Sequence, residues 1–340
     1  MDMFAVVLAL LLEQWRPATG WPLARARSTL RIAIDALPDR LDGGREWHAW
    51  LGWSMAVGIP SLLAWAIGAA LGLLLGLLCF VFIVGVLYFT LGFRLFSHRF
   101  TAVRDGLAAR RLDLAGAALA HWQGGPLAPT GGTMPATTPE TIARQAIERG
   151  VGEAGRWLFG GLFWFAVMPG ASGAVLYRTA DQVALRWSSA PTVGLHPGFA
   201  SVAASALRWL DELPARLAAG AFALVGDFTG AAEGWQAARR EGVAERGTGG
   251  PEAGPGSGPC GPRELMVAAA FGALGMGQGA LNAERNASGE GAGSYDAFDG
   301  AGWDADSYAL AVRQMDGAAA LVWRSLLLWL AVLGLIALLA

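Results

Sequence analysis

The chain contains no lysine; all 25 of its basic residues are arginine. That excludes a lysine nucleophile and the lysine of a phosphate-binding loop. Only two cysteines are present, Cys79 in a long apolar run and Cys260 in a Gly/Pro-rich stretch. They supply neither a disulfide framework nor a zinc site. The four histidines, His48, His98, His121 and His196, have no ligand spacing, so no metal site is expected. Charged residues make up only 15% of the chain, where soluble domains carry about 25%. The net charge of −2 argues against nucleic acid as a partner. No GxGxxG or GxxxxGK[ST] motif follows a strand pattern, which leaves nucleotide binding by a familiar loop without support. Met1-Asp2-Met3-Phe4 lacks a basic start and no small-residue cleavage site follows, so no signal peptide is expected.

What is present is apolar: 54% of the 340 residues are hydrophobic, with fifteen Trp against four Tyr. Indoles favour the membrane–water boundary, and lipid is the simple partner for the excess apolar surface. The reading is an all-α, polytopic integral membrane protein with amphipathic cytoplasmic helices. Leu51 to Phe93 is a run of 43 residues without a charge. As one helix it would reach roughly 65 Å, about twice the ~30 Å hydrocarbon core. It is therefore expected to form two spans with a turn between Ala69 and Gly76, and Gly58-Ile59-Pro60 is a candidate kink. Met3 to Leu12 is too short to span alone and is read as part of a helix reaching Trp15. Ala318 to Ala340 forms a final span, with Arg324 snorkelling from one end.

Phe96 to Trp122 reads as one amphipathic helix, followed by a loop over Gln123 to Thr137. Thr138-Pro139-Glu140 starts a helix well: a capping hydroxyl, proline at the first position and an acid in the first turn. That helix runs on into the uncharged stretch Trp157–Tyr177, which is expected to break at Met168-Pro169-Gly170. Ser201 to Asp227 reads as a helix interrupted by Pro214. In residues 242–263, 12 of 22 are Gly or Pro, the composition of a disordered linker. Leu265 to Leu281 is apolar but glycine-rich, a buried or re-entrant piece. The acids Asp296, Asp299, Asp304 and Asp306 lack the spacing of a calcium loop and read as solvated.

Two groups of charges are candidates for ligand binding. Arg208, Asp211, Glu212 and Arg216 lie beside an apolar stretch, with Arg208/Glu212 and Glu212/Arg216 at i,i+4. Such charges near lipid must pair or face a cavity, so a structural ion-pair network and a site both remain open. Glu148 and Glu153 lie where a polar helix approaches the membrane; their i,i+4 partners, Arg144 and Arg149, support a solvated face.

Four blocks together resemble the CobD/CbiB family of cobalamin-biosynthesis membrane proteins and the related AmpE proteins. They are Phe159 to Arg178; Leu213-Pro214-Ala215-Arg216-Leu217 with Asp211 ahead of it; Glu264-Leu265-Met266 leading to Gly272-Ala273-Leu274-Gly275; and Trp323-Arg324-Ser325-Leu326-Leu327-Leu328. The resemblance runs in order through most of the chain and implies one membrane domain over 1–340. It implies adenosylcobinamide-phosphate synthesis, in which a corrinoid carboxyl is joined to an amino alcohol or its phosphate with ATP and Mg. It also implies a multi-pass place in the inner membrane, with the bilayer as partner. The family's Gly-Arg-Asp-Thr motif is missing, and Asp181 to Leu185 stands where the family has Asn-Thr-Leu-Asp-Ser, which adds Asp181 to the candidates. The resemblance is thus to a divergent member, and a non-catalytic regulator of the AmpE kind is the alternative.

Arginines crowd the segments flanking the 51–93 run, which places both flanks in the cytoplasm and the hairpin tip outside. Single cysteines introduced at Gly72 and Gly44, with Cys79 and Cys260 replaced, are expected to label from opposite sides of the membrane. Equal labelling from the cytoplasmic side would reject this topology.

Overall fold

The computed structural model describes residues 3–15, 21–41, 45–91, 93–123, 138–189, 198–248, 261–276 and 303–339. All secondary structure among these residues is helical, as the composition led one to expect. The chain divides into two compact units, one of residues 1–94, 155–215 and 329–340, the other of residues 95–154 and 216–328.

In the first unit, α1 (Met3–Trp15) includes the expected N-terminal helix. It packs on the helix over Gly76–Leu91 and buries Ala5, Val6 and Ala9. α2 (Trp21–Leu41) and α3 (Glu46–Leu74) follow, then α4 (Gly76–Leu91). The expected turn in the uncharged run lies at Leu75, which is extended (φ −155°, ψ 119°). Glycines on both sides, Gly72 and Gly76, weaken helix there. α3 and α4 pack together as a hairpin. At Pro60 helix α3 carries on, and the Ser61 hydroxyl donates to the Val57 carbonyl at 2.6 Å. α3 is long and apolar enough to cross a membrane, and only 17% of its most apolar stretch is buried. Ile59, Leu62, Leu63, Leu73 and Leu74 are exposed. A core helix of a soluble protein would be mostly covered.

A π-helical turn (Gly155–Phe159) precedes the short α8 (Gly160–Val167), and the helix stops before Pro169 as expected. Met168 is extended, the backbone that a residue before proline prefers. Gly170 has φ +65°, a conformation open to glycine at no steric cost. The Ser172 hydroxyl donates to the Pro169 carbonyl at 2.8 Å, and α9 (Ser172–Ser189) returns against α8. The buried core of this unit joins Ile34, Ala56, Val57, Tyr177, Val183, Trp187, Phe199 and Val202 from α2, α3, α9 and α10 (Gly198–Val225).

Pro214 does not interrupt α10, contrary to the expectation from sequence. A helix-interior proline removes the donor for the carbonyl four residues back and costs about 3 kcal/mol or more. Here that carbonyl, Leu210 O, accepts the indole N–H of Trp164 at 3.0 Å. The same arrangement recurs in α2. Pro38 lies inside that helix, and the Ile34 carbonyl it strips accepts the Trp187 indole N–H at 3.2 Å. Each lost helical bond is replaced by one from another helix, so the proline positions become points of attachment.

In the second unit, the stretch expected as one helix over 96–122 is two, α5 (Phe93–Ala108) and α6 (Leu112–Trp122). The corner needs neither glycine nor proline at its tip. Arg110 takes a left-handed φ of 56°. The Arg111 N–H closes back on Gly106 O at 3.0 Å, a Schellman-type ending that satisfies the last carbonyls. The two helices meet closely at Gly106, where a side chain would lie 2.8 Å from the Ala115 nitrogen. At the start of α6, a hydrogen bond from Arg111 and then backbone donors hold the Asp113 carboxyl below its ordinary pKa. Arg104 of α5 clasps Asp316, with Nη2 3.1 Å from Oδ2.

α7 (Pro139–Ala154) starts where the sequence placed it, the Thr141 N–H donating to Thr138 Oγ1 at 3.1 Å. α11 (Phe228–Thr248) and α12 (Pro262–Ala273) pack with glycine facing glycine. A side chain on Gly272 would lie 1.9 Å from Gly230 O, and one on Gly234 would lie 2.4 Å from Ala268 O. The Glu264 carboxylate caps α12 by accepting the Gly261 N–H at 2.7 Å. At 12 residues, or about 18 Å, α12 is too short to span, and Met266, Ala269 and Ala270 are buried, which agrees with a buried piece. α13 (Ala305–Leu339) begins well before the expected Ala318 and is the second helix long and apolar enough to cross a membrane. Of the linker over 242–263, residues 249–260 lie outside the described residues; α11 runs through Thr248 and α12 begins at Pro262. The 124–137 loop, His196, Cys260, Asp296 and Asp299 also lie outside them.

The α11–α12 approach sets a test. Gly272→Ala is expected to destabilise the protein by about 1–3 kcal/mol through overpacking. Gly152→Ala, with no atom within 4 Å of the added carbon, should gain a few tenths to 1 kcal/mol. Equal Tm values for the two variants in detergent would contradict the close crossing.

Candidate functional site

Among the described residues of the first unit, the most heavily buried charge is Asp181, one turn beyond Tyr177 on α9. Its side chain is 1% exposed. Two guanidinium groups face it. Arg156, carried on the π-helical turn, places Nε 3.3 Å from Oδ1. Arg178, three residues back on α9, places Nη1 3.7 Å from Oδ2. The two arginine side chains keep 29% and 26% of their surface. They therefore form ion pairs with a buried carboxylate on one side and reach solvent on the other. Arg178 also lies over the Trp157 ring, 5.0 Å from its centroid, which holds its plane.

A second buried carboxylate, Asp211 of α10, meets α9 one turn before Asp181. Tyr177 OH donates to Asp211 Oδ1 at 2.6 Å, and both residues are buried. The contact requires glycine opposite: a side chain on Gly160 would lie 2.2 Å from the Tyr177 ring. α8, α9 and α10 are thus joined at three successive points, Gly160 under Tyr177, Tyr177 on Asp211, and Trp164 on Leu210. Asp211 and Asp181 are consequently fixed in place on neighbouring helices.

The structure separates the other sequence candidates. Within the Arg208–Asp211–Glu212–Arg216 group, Asp211 turns to the interior, Glu212 is half-buried, and Arg208 and Arg216 are exposed. Arg216 belongs to the second unit. There Glu148 is exposed, while Glu153 is largely covered, with its Oε1 accepting the Trp122 indole N–H at 3.0 Å and lying 3.4 Å from Arg149 Nε. Of the two i,i+4 pairs expected on α7, Arg149–Glu153 forms; Arg144 instead lies over the Phe271 ring, 5.0 Å from its centroid. Three residues of the centre, Arg156, Tyr177 and Arg178, were not among the sequence candidates. A signal was present: Arg156 and Arg178 bracket the uncharged run 157–177, and Arg178 stands at i,i+3 from Asp181.

Over 289 residues, 80% of this chain and 80% of the relative, the sequence is 30% identical to the cobalamin biosynthesis protein CobD of Chromobacterium violaceum. The chain belongs to the CobD/CbiB family. No family model matches it, and no solved structure matches it significantly. Within this CobD/CbiB member, the donor set around Asp181 suits an anion. Guanidinium forks bind carboxylates and phosphates in matching planar geometry. The same set does not suit a magnesium ion, because both Asp181 oxygens already lie against guanidinium groups.

Removing Asp181 should leave two half-buried positive charges facing each other. Asp181→Ala is expected to cost about 2–3 kcal/mol, less than a fully buried pair would because the arginines reach solvent. Arg156→Ala, which leaves Arg178 on the carboxylate, should cost less. A Tm for Asp181→Ala equal to wild type would show that the three charges do not depend on one another.

Proposed function

We propose that this protein is a divergent CobD-like enzyme of cobalamin biosynthesis, an amide-forming adenosylcobinamide(-phosphate) synthase held in the cell inner membrane by several spans. Kinship over four-fifths of both chains carries the reading. The membrane assignment draws support from α3 and α13, whose apolar faces are mostly uncovered. α4, an apolar 16-residue helix packed on α3, completes a hairpin.

In this reading, Arg156 and Arg178 bind an anionic group of the substrate, a carboxylate or a phosphate. Asp181 fixes the spacing of the two guanidiniums and offsets their repulsion before the ligand arrives. Tyr177 and Asp211 hold α9 to α10 so that the arginines do not drift. ATP, when bound, would supply the phosphoryl group that activates the carboxyl for attack by an amine; the arginine pair is a fit for such phosphates. A non-catalytic role of the AmpE kind is the competing reading, favoured by the missing Gly-Arg-Asp-Thr motif.

Expression in a strain deleted for its cobinamide synthase, grown under strict cobalamin auxotrophy, separates the two. Wild type is expected to restore growth. A double Arg156→Ala/Arg178→Ala variant present in the membrane at wild-type level is expected to restore none. Failure of the well-expressed wild type would reject the enzymatic reading.

A further inference from the structure

Glu153 ends the polar helix α7 and carries an oxygen that the rest of the second unit leaves unused. Its side chain is 13% exposed. Oε1 accepts the Trp122 indole N–H at 3.0 Å. Arg149, one turn back, approaches the same oxygen with Nε at 3.4 Å, and its side chain is 40% exposed. Oε2 is buried and has no hydrogen-bond partner among the described residues. A buried carboxylate oxygen without a donor is costly.

We propose that Oε2 of Glu153 is the binding point for a primary ammonium group of a small ligand. The chemistry selects the ligand class. A divalent metal needs several oxygen ligands, and no group of three or more His, Cys, Asp or Glu side chains suited to a metal occurs among the described residues. A guanidinium binds a carboxylate most strongly through two oxygens side by side, and here the indole occupies one of them. A compact ammonium brings a full positive charge and three donors to a single oxygen. The wall beside the carboxylate is apolar: Trp122 is buried and packs edge-to-face on Phe100, ring centroids 6.4 Å apart. Such a wall favours a ligand with a short carbon chain behind its nitrogen. Identifying that ligand with the amine that becomes acylated rests on the amide-forming reading above; the ammonium binding does not.

The probe is ethylammonium, with ethanol as a neutral control of similar shape and sodium chloride as a control for ionic strength. The full chain in detergent is titrated and its thermal unfolding followed. Ethylammonium should raise the Tm of wild type beyond either control. Glu153→Gln keeps an acceptor for Trp122 but removes the charge, and should weaken the apparent affinity by roughly tenfold or more, as loss of a charge-assisted bond implies. Glu148→Gln, at an exposed position on the same helix, should leave it unchanged. If Glu153→Gln does not fold, Glu153→Asp, which withdraws the carboxylate by one methylene, is read instead and should also weaken binding. The proposal is overturned if wild type shows no ethylammonium effect, if ethanol matches it, or if the Glu153 variant binds as wild type does. Displacement of ethylammonium by magnesium chloride at matched ionic strength would overturn it in favour of a metal site. All of these outcomes are read without turnover, so a failed complementation and a failed ammonium site are distinguishable.

Discussion

Two tryptophan indoles donate to carbonyls that prolines have released, and the packing of the first unit depends on these bonds. Trp164 reaches Leu210 O four residues before Pro214, and Trp187 reaches Ile34 O four residues before Pro38. An isolated proline in a helix leaves a carbonyl without its donor. In an apolar environment a group that restores the bond offsets that loss. The indole is well suited, since it carries one donor and a large apolar body, so a single side chain both closes the bond and fills the space between helices. Through these two contacts α8 is attached to α10 and α9 to α2, at positions set by the prolines.

The charged centre depends on that attachment. Asp181 and Asp211 are buried, and each survives burial because a partner is delivered to it from a defined direction. Tyr177 meets Asp211 because α9 is held beside α10 and because Gly160 leaves room for the ring. Arg156 meets Asp181 because a π-helical turn, a feature frequent at functional sites, introduces the register change ahead of α8. On the far side of the pair both arginines keep part of their surface in solvent. In this member of the CobD/CbiB family, the scaffold thus carries two arginines paired on a buried carboxylate.

Much of the helical plan was legible because its signals are local. The capping hydroxyl of Thr138, the Pro169-Gly170 break and the length of the 51–93 run each act within a few residues or through a bilayer dimension. Pro214 misled because its remedy lies fifty residues earlier in sequence, in the indole of Trp164. The α5–α6 corner was hidden because Arg110 adopts a left-handed backbone in a place where no glycine or proline announces a turn. Asp211 looked like one member of a surface ion-pair row, since Arg208 and Glu212 share its helix at close spacing. Only the phenol of Tyr177, across from it on α9, reveals that it points inward. Arg156 and Arg178 bracket an apolar run, and sequence shows the i,i+3 spacing of Arg178 from Asp181 but not the π-helical turn that brings Arg156 into range.

The dependence of the scaffold on indole-for-amide replacement is tested most directly by a double-mutant cycle between Trp164 and Pro214, followed by unfolding in detergent. Trp164→Phe removes only the donor and part of the ring, and should cost about 1–3 kcal/mol by stranding the Leu210 carbonyl. Pro214→Ala returns a backbone N–H to that carbonyl. In the Pro214→Ala background the Trp164→Phe cost should therefore fall, giving a coupling of about 1 kcal/mol or more. A coupling of zero, with Trp164→Phe equally costly in both backgrounds, would contradict the account, because the tryptophan would then act by its bulk alone.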